Sequence, residues 1–181
     1  MKDTPEILQK KFVHRGFFDL RIDTLKRAGQ DPITYTVVET KVDAVCVLAK
    51  HKEKYLIIKE YRHGVEKYIL SLPGGRMEKG ENPEASAKRE LLEETGYIAQ
   101  NMHFMGKYSP LPSICDQTIF LFYAENCTFE KEPSLDAYEF IETTFYEKDA
   151  LVEEIKKGAD IDGILTASLF FILNTDVTRQ K

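Results

Sequence analysis

Several common signatures are missing from this chain. Cysteine is scarce: Cys46, Cys115 and Cys127 are odd in number and far apart. With no Cys-x-x-Cys among them, neither a disulfide framework nor a zinc site is expected, and a reducing, cytoplasmic setting follows. Cys46 lies in an apolar stretch and reads as a small buried hydrophobe. Long apolar runs are lacking. The longest, such as residues 169–173, are far too short to span a bilayer, so no membrane partner is expected. Met1-Lys2-Asp3-Thr4-Pro5 has no apolar signal region. An excess of basic charge is absent too. The net charge is −5, whereas a nucleic-acid binder would show a basic face. There is no Gly-x-x-x-x-Gly-Lys-Ser/Thr loop, which argues against P-loop kinase or ATPase chemistry. His14, His51, His63 and His103 are scattered, and none has a Ser or Cys partner at triad spacing. No repeat is visible.

What remains is an ordinary globular composition. The chain has 181 residues, 43% of them apolar and 11% aromatic, enough for one domain with a full core. Residues 42–49, 55–62 and 68–73 are rich in β-branched and aromatic side chains and are expected as strands, with a charged turn at 51–54. Further strands are expected at 102–108, 118–124 and 140–146. Residues 150–157 read as a helix ended by Gly158, and 162–174 as a more apolar helix packed into the body. Near the N-terminus, residues 12–23 and 33–38 read as the two strands of a ribbon around a turn at 27–32. Such a ribbon is marginal alone and must pack on something. Phe12, Phe17, Phe18, Ile22, Ile33 and Val37 give it more apolar area than a hairpin can hide.

Chemistry concentrates in residues 75–97. Asn82 is a good N-cap, Pro83 a good first helical residue and Gly96 a good stop, so a helix is expected at 83–95. Ala85, Ala87, Leu91 and Leu92 can face a core. Glu90, Glu93 and Glu94 fall at i, i+3 and i+4 on one helix face, where like charges repel. They also sit in the last turn, where the helix dipole disfavours negative charge. Such a cluster needs a counter-ion, and a hard divalent cation, Mg²⁺ or Mn²⁺, suits oxygen ligands. Gly74, Gly75 and Gly80 permit tight turns before the helix, and Glu81 adds a fourth carboxylate. A lone Glu-Glu pair on a helix is usually solvated surface. Here the full pattern is Gly, five residues, Glu, seven residues, Arg-Glu, two residues, Glu-Glu, one residue, Gly.

At Gly75, Glu81, Arg89, Glu90, Glu93, Glu94 and Gly96 the chain resembles the Nudix hydrolase family, with Leu91 in the first aliphatic slot and Tyr97 in the last. The resemblance implies an α/β fold, an α/β/α sandwich around a mixed β-sheet, here preceded by the N-terminal β-ribbon. The ribbon, Glu60-Tyr61-Arg62, residues 70–75 and the loop around Pro112 and Ser113 resemble the ADP-ribose pyrophosphatase branch. That branch usually has Gln at position 60, Glu at 71 and Ala at 74, where this chain has Glu60, Ser71 and Gly74.

The resemblance implies hydrolysis of a diphosphate linkage in a nucleoside diphosphate derivative, ADP-ribose or a nucleotide sugar, by metal-assisted attack of water. Other readings stay open: a dinucleoside polyphosphate, an oxidised nucleotide or a capped RNA as substrate, or a non-catalytic nucleotide sensor. Glu90 and Glu94 are the leading metal ligands, with Glu93 and the Gly74 carbonyl beside them. Arg89 is expected to hold a glutamate by a bidentate pair. Arg62, Pro112 and Ser113 are candidates for binding substrate. Tyr61 or Phe17 can stack on a base, although among 20 aromatics a core role is the better reading of either alone. The proton acceptor is expected on the loop at 132–140, at Glu139 or else Asp136; failing both, Glu93. Residues 1–40 are expected as a dimerisation segment of a homodimer, and 41–181 as the hydrolase domain.

Overall fold

Residues 44–49 are apolar almost without a break, and both faces of the strand they form are buried. Such a strand belongs in the middle of a covered sheet. The computed structural model, which describes residues 4–174, places it there. The chain divides into two compact units. One runs to Asp43 and takes in Tyr108–Thr118; the other comprises Ala44–Lys107 and the chain from Ile119 onward.

The first unit is built on β1 (Glu6–His14), β2 (Asp19–Lys26) and β3 (Ile33–Glu39), an antiparallel sheet in the order β1-β2-β3. This corrects the expected two-stranded ribbon, in which residues 12–23 formed one strand. The chain reverses between His14 and Asp19 because the Asp19 carboxylate draws it back. It accepts from Gly16 N at 3.1 Å and pairs with Arg15 and Lys41 at 3.3 and 2.8 Å. The alternation of residue types runs straight through this turn, which hid it. On β2, Arg21 pairs with Asp23 at 2.8 Å and with Glu39 of β3 at 3.0 Å. The segment Tyr108–Thr118 adds to β3: Val38 N donates to Ile114 O, Asp116 N donates to Val38 O, and Asp116 accepts from Thr40 N.

The second unit is a mixed sheet. β4 (Ala44–His51) runs parallel to β9 (Ile119–Glu125) and antiparallel to β5 (Lys54–Arg62), giving the order β11-β5-β4-β9-β8. Here β8 is Asn101–Tyr108 and β11 is Ile141–Tyr146; β6 (Lys67–Ser71) also pairs with β5. A small pair, β7 (Tyr97–Ile98) with β10 (Thr128–Phe129), lies apart and was not expected from the sequence.

Helix α1 (Pro83–Thr95) begins as its caps dictate. The Asn82 side chain accepts from Glu84 N at 2.9 Å, and Gly96, at φ 76°, donates to Leu92 O. Ala87 and Leu91 are fully buried against Val45, Val47, Leu56, Ile58 and Phe122 of the sheet. Truncating Leu91 to Ala would cost roughly 2–5 kcal/mol. The remaining helices are α2 (Lys148–Lys156), followed by Gly158 at φ 85°, and α3 (Gly163–Asn174). Among the described residues no helix is long and apolar enough to cross a membrane.

Candidate active site

The site is assembled where the segment after β6 meets the last two turns of α1. Pro73 and Gly75 give their carbonyls to Val47 N and Val45 N, at 2.8 and 2.9 Å, so this segment lies along β4. Gly74 takes φ 154°, and a Cβ there would fall 2.2 Å from Val45 O. Its own N–H donates to Glu94 Oε2 at 2.7 Å. A Cβ on Gly75 would fall 2.7 Å from Glu90 Oε1, so that glycine is the cradle of the Glu90 carboxylate.

Arg89 is the hub of the acidic residues. Its Nε and Nη2 grip both oxygens of Glu81 at 3.1 Å. Its Nη1 reaches Glu90 and Glu93, each at 2.9 Å. Arg89 was expected to hold one glutamate; it serves three of the four carboxylates, so the acidic face has a protein counter-charge as well. Glu94 is different. It is 6% exposed, and among the described residues its partner is a backbone amide rather than a cation. Burial pushes its carboxyl well above the usual carboxylate range, and the Gly74 amide offsets only part of this. Burial raises Glu90 as well, against the pull of Arg89. The Arg89 guanidinium holds Glu81 down at about 2.

Two further segments reach this cluster. The chain after β10 is hooked to the end of α1: Glu130 N and Lys131 N donate to Gly96 O, and Ser134 N donates to Glu93 O at 2.8 Å. Beyond the hook, Asp136 and Glu139 close a turn, with Asp136 N donating to Glu139 Oε2 at 2.8 Å. The charge of Glu139 acts on Glu60, Glu90 and Glu94. Phe140 O then accepts from Tyr61 N. A cleft of about 430 Å³ opens here, lined by Lys59, Tyr68, Leu135, Glu139 and Phe140 among others. The second segment is the end of β5, where Arg62 pairs with Glu60 at 2.7 Å.

The structure thus brings Gly74, Arg89, Glu90, Glu93, Glu94, Glu139 and Arg62 into one unit. Pro112 and Ser113 belong to the other, where Ser113 O accepts from Tyr35 Oη. Glu60 was overlooked as a site residue in its own right. Its signal is a charged residue continuing the apolar row Leu56, Ile58 along one face of β5.

Among the described residues no three His, Cys, Asp or Glu side chains converge on one point. The donors nevertheless fit a hard divalent cation. All are oxygens, one carboxylate is buried without a cationic partner among the described residues, and Gly75 lets the Glu90 carboxylate lie against the backbone.

Comparison with known proteins agrees. The sequence profile of the NUDIX domain matches residues 39–168, well over half of the chain. The chain belongs to the Nudix family. Among its Nudix relatives, an ADP-ribose pyrophosphatase of Bacillus subtilis is 40% identical over 101 residues, 55% of each chain. A methanol dehydrogenase activator of Bacillus methanolicus is 34% identical over 140 residues, 76% of each. The crystal structure of an ADP compounds hydrolase superposes with a TM-score of 0.82 at 24% identity, over 94% of this chain and 92% of that one; it shows the shared Nudix fold.

Proposed function

We propose that this Nudix enzyme hydrolyses the diphosphate linkage of a nucleoside diphosphate derivative, ADP-ribose or a nucleotide sugar, in the cytoplasm with Mg²⁺ or Mn²⁺. The observation that carries this reading is Glu94. A buried carboxylate with no cationic partner among the described residues, beside a Glu90 carboxylate seated against Gly75, suits a protein that borrows its positive charge from a metal ion. Glu90, Glu93, Glu94 and the Gly74 carbonyl are the residues that would hold the ion. A bound divalent cation supplies charge neutralisation on the diphosphate oxygens and a more acidic water.

The chain does the rest. Arg89 fixes Glu81, Glu90 and Glu93 in place. Arg62 binds a phosphate oxygen, with Pro112 and Ser113 as further substrate contacts. Glu139 takes the proton of the attacking water, and Glu93 is its alternate. Water adds across the P–O–P bridge, giving a nucleoside monophosphate and a phosphorylated second moiety. We also place residues 1–40 at the interface of a homodimer and residues 41–181 in the hydrolase domain. The support is the exposed apolar set Ile7, Leu8, Val13, Phe17, Phe18 and Ile33 on the first unit.

A panel of ADP-ribose, UDP-glucose, GDP-mannose, diadenosine polyphosphates and nucleoside triphosphates tests the reading, with phosphatase-coupled phosphate release as the signal. The highest kcat/KM should fall on a nucleoside diphosphate sugar, and EDTA should abolish turnover. A triphosphate or a dinucleoside polyphosphate at the top would overturn it.

A further inference from the structure

The face of β5 that packs on α1 reads Leu56, Ile58, Glu60, Arg62, by the alternation of a strand. Leu56 and Ile58 are fully buried in the core with Ala87 and Leu91. The next position in that row calls for another apolar side chain, and Glu60 stands there at 8% exposure. One of its oxygens, Oε1, pairs with Arg62 at 2.7 Å. The other, Oε2, is buried and has no hydrogen-bond partner among the described residues. A buried charged oxygen left unbonded is costly, so a ligand that satisfies it would relieve the cost.

The neighbouring acids are already engaged. Glu81, Glu90 and Glu93 are held by Arg89, Glu94 by Gly74 N, and Glu139 by Asp136 N. Asp162, whose charge also acts on Glu60, caps α3 by accepting from Ile164 N. Glu60 therefore adds negative charge beside Glu94 with an oxygen to spare. A substrate phosphate would be repelled by it. A divalent cation, or a water in that cation's shell, would satisfy it.

We infer that Glu60 is a further carboxylate of the cation site, its Oε2 serving the metal ion directly or through one bound water. The inference rests on the proposed function above and adds a ligand from β5 to those of α1. Because Arg62 shares the same carboxylate, the cation and the phosphate-binding arginine are joined through Glu60.

The test is Mn²⁺ binding to metal-free protein, followed by the electron paramagnetic resonance of free Mn²⁺, with melting temperatures in EDTA and in Mn²⁺. Glu60→Gln keeps the shape and removes the charge. It should weaken Mn²⁺ binding roughly tenfold or more, or remove one equivalent, in the range that outer groups of metal sites command. It should also melt higher than wild type in EDTA and gain less from Mn²⁺. Arg62→Gln, which breaks the pair but leaves the carboxylate, should bind Mn²⁺ at least as well as wild type.

An unchanged Mn²⁺ isotherm for Glu60→Gln would overturn the inference, and so would an equal loss in Arg62→Gln. Intact Mn²⁺ binding with a raised KM would assign Glu60 to a substrate hydroxyl instead. Wild type that takes up no Mn²⁺ would overturn the proposed function together with this inference, and so separates the two failures.

Discussion

Gly74 and Gly75 are adjacent, yet adding one methyl group to each should have opposite consequences. In Gly75→Ala the new Cβ meets Glu90 Oε1, Cδ and Oε2 at 2.7 to 2.8 Å, the far end of a flexible side chain. The carboxylate must retreat by about 0.7 Å to reach an ordinary 3.4 Å contact. Nothing in the backbone has to move. The unfolded chain loses freedom on Gly→Ala, which offsets about 0.4–1 kcal/mol. Stability should thus stay within about 1 kcal/mol of wild type, or roughly 3 °C in Tm. Turnover should not hold. A displacement near 1 Å in a positioned group costs on the order of 10²-fold, so a loss of roughly 10- to 100-fold is expected.

In Gly74→Ala the Cβ falls 2.2 Å from Val45 O and 2.7 Å from Cys46 Cα, in the backbone of a central strand, at φ 154°. Overpacking of about 1–3 kcal/mol adds to a backbone strain of similar size. That lowers Tm by roughly 5–15 °C. The assay is thermal melting in EDTA together with steady-state hydrolysis in Mg²⁺. Wild-type turnover in Gly75→Ala would refute the cradle. A Gly75→Ala protein as unstable as Gly74→Ala would refute the claim that Glu90 yields first.

Three other outcomes are expected. Glu139→Gln should lower turnover at saturating substrate and metal by more than tenfold, while Asp136→Asn, whose backbone amide rather than carboxylate makes the contact with Glu139, should fall less; near wild-type turnover in both would move the base to Glu93. Glu81 is held at about 2 by Arg89, so its contribution to stability is full above its ordinary value near 4.5 and is lost as pH falls from there towards 2. Melting in EDTA should therefore show an acid limb in that window that is shallower in Glu81→Gln, and identical limbs would contradict the pairing. Light scattering at tens of micromolar should give twice the 20.9 kDa chain mass, and a monomer would dismiss the apolar face as an interface.

The helix and its caps were legible because Asn82, Pro83 and Gly96 act locally, each through its own backbone. The central strands were legible for the opposite reason, since burial on both faces leaves an unbroken apolar run. Legibility failed where side chains act at a distance. The turn between β1 and β2 is made by Asp19 gathering Gly16, Arg15 and Lys41, and no local pattern announces that. The acidic face was legible only in part: Arg89 was expected to hold one glutamate, and i,i+1 neighbours such as Arg89 and Glu90 do not ordinarily face each other. Its long side chain nevertheless reaches Glu81, Glu90 and Glu93. Glu60 was passed over because a charged residue near a strand end usually faces water, whereas here the core row continues under it.

The two hooks on the chain after β10 set a mechanical limit. Ser134 is tied to the end of α1 and Phe140 to β5, which leaves only residues 135–139 free to rearrange. Glu139 is next to the second tie. Consecutive Cα atoms are held about 3.8 Å apart, so its backbone stays within that radius of Phe140 whatever the rest of the segment does. The carboxylate is carried on a short crank rather than at the tip of a long arm. It can rotate toward or away from the acids of α1, but it cannot leave their neighbourhood between turnovers. Residues added near Leu135 would lengthen the arm and leave the crank unchanged. A shift in how Phe140 is tied to Tyr61 would move the pivot itself, and with it every position Glu139 can reach.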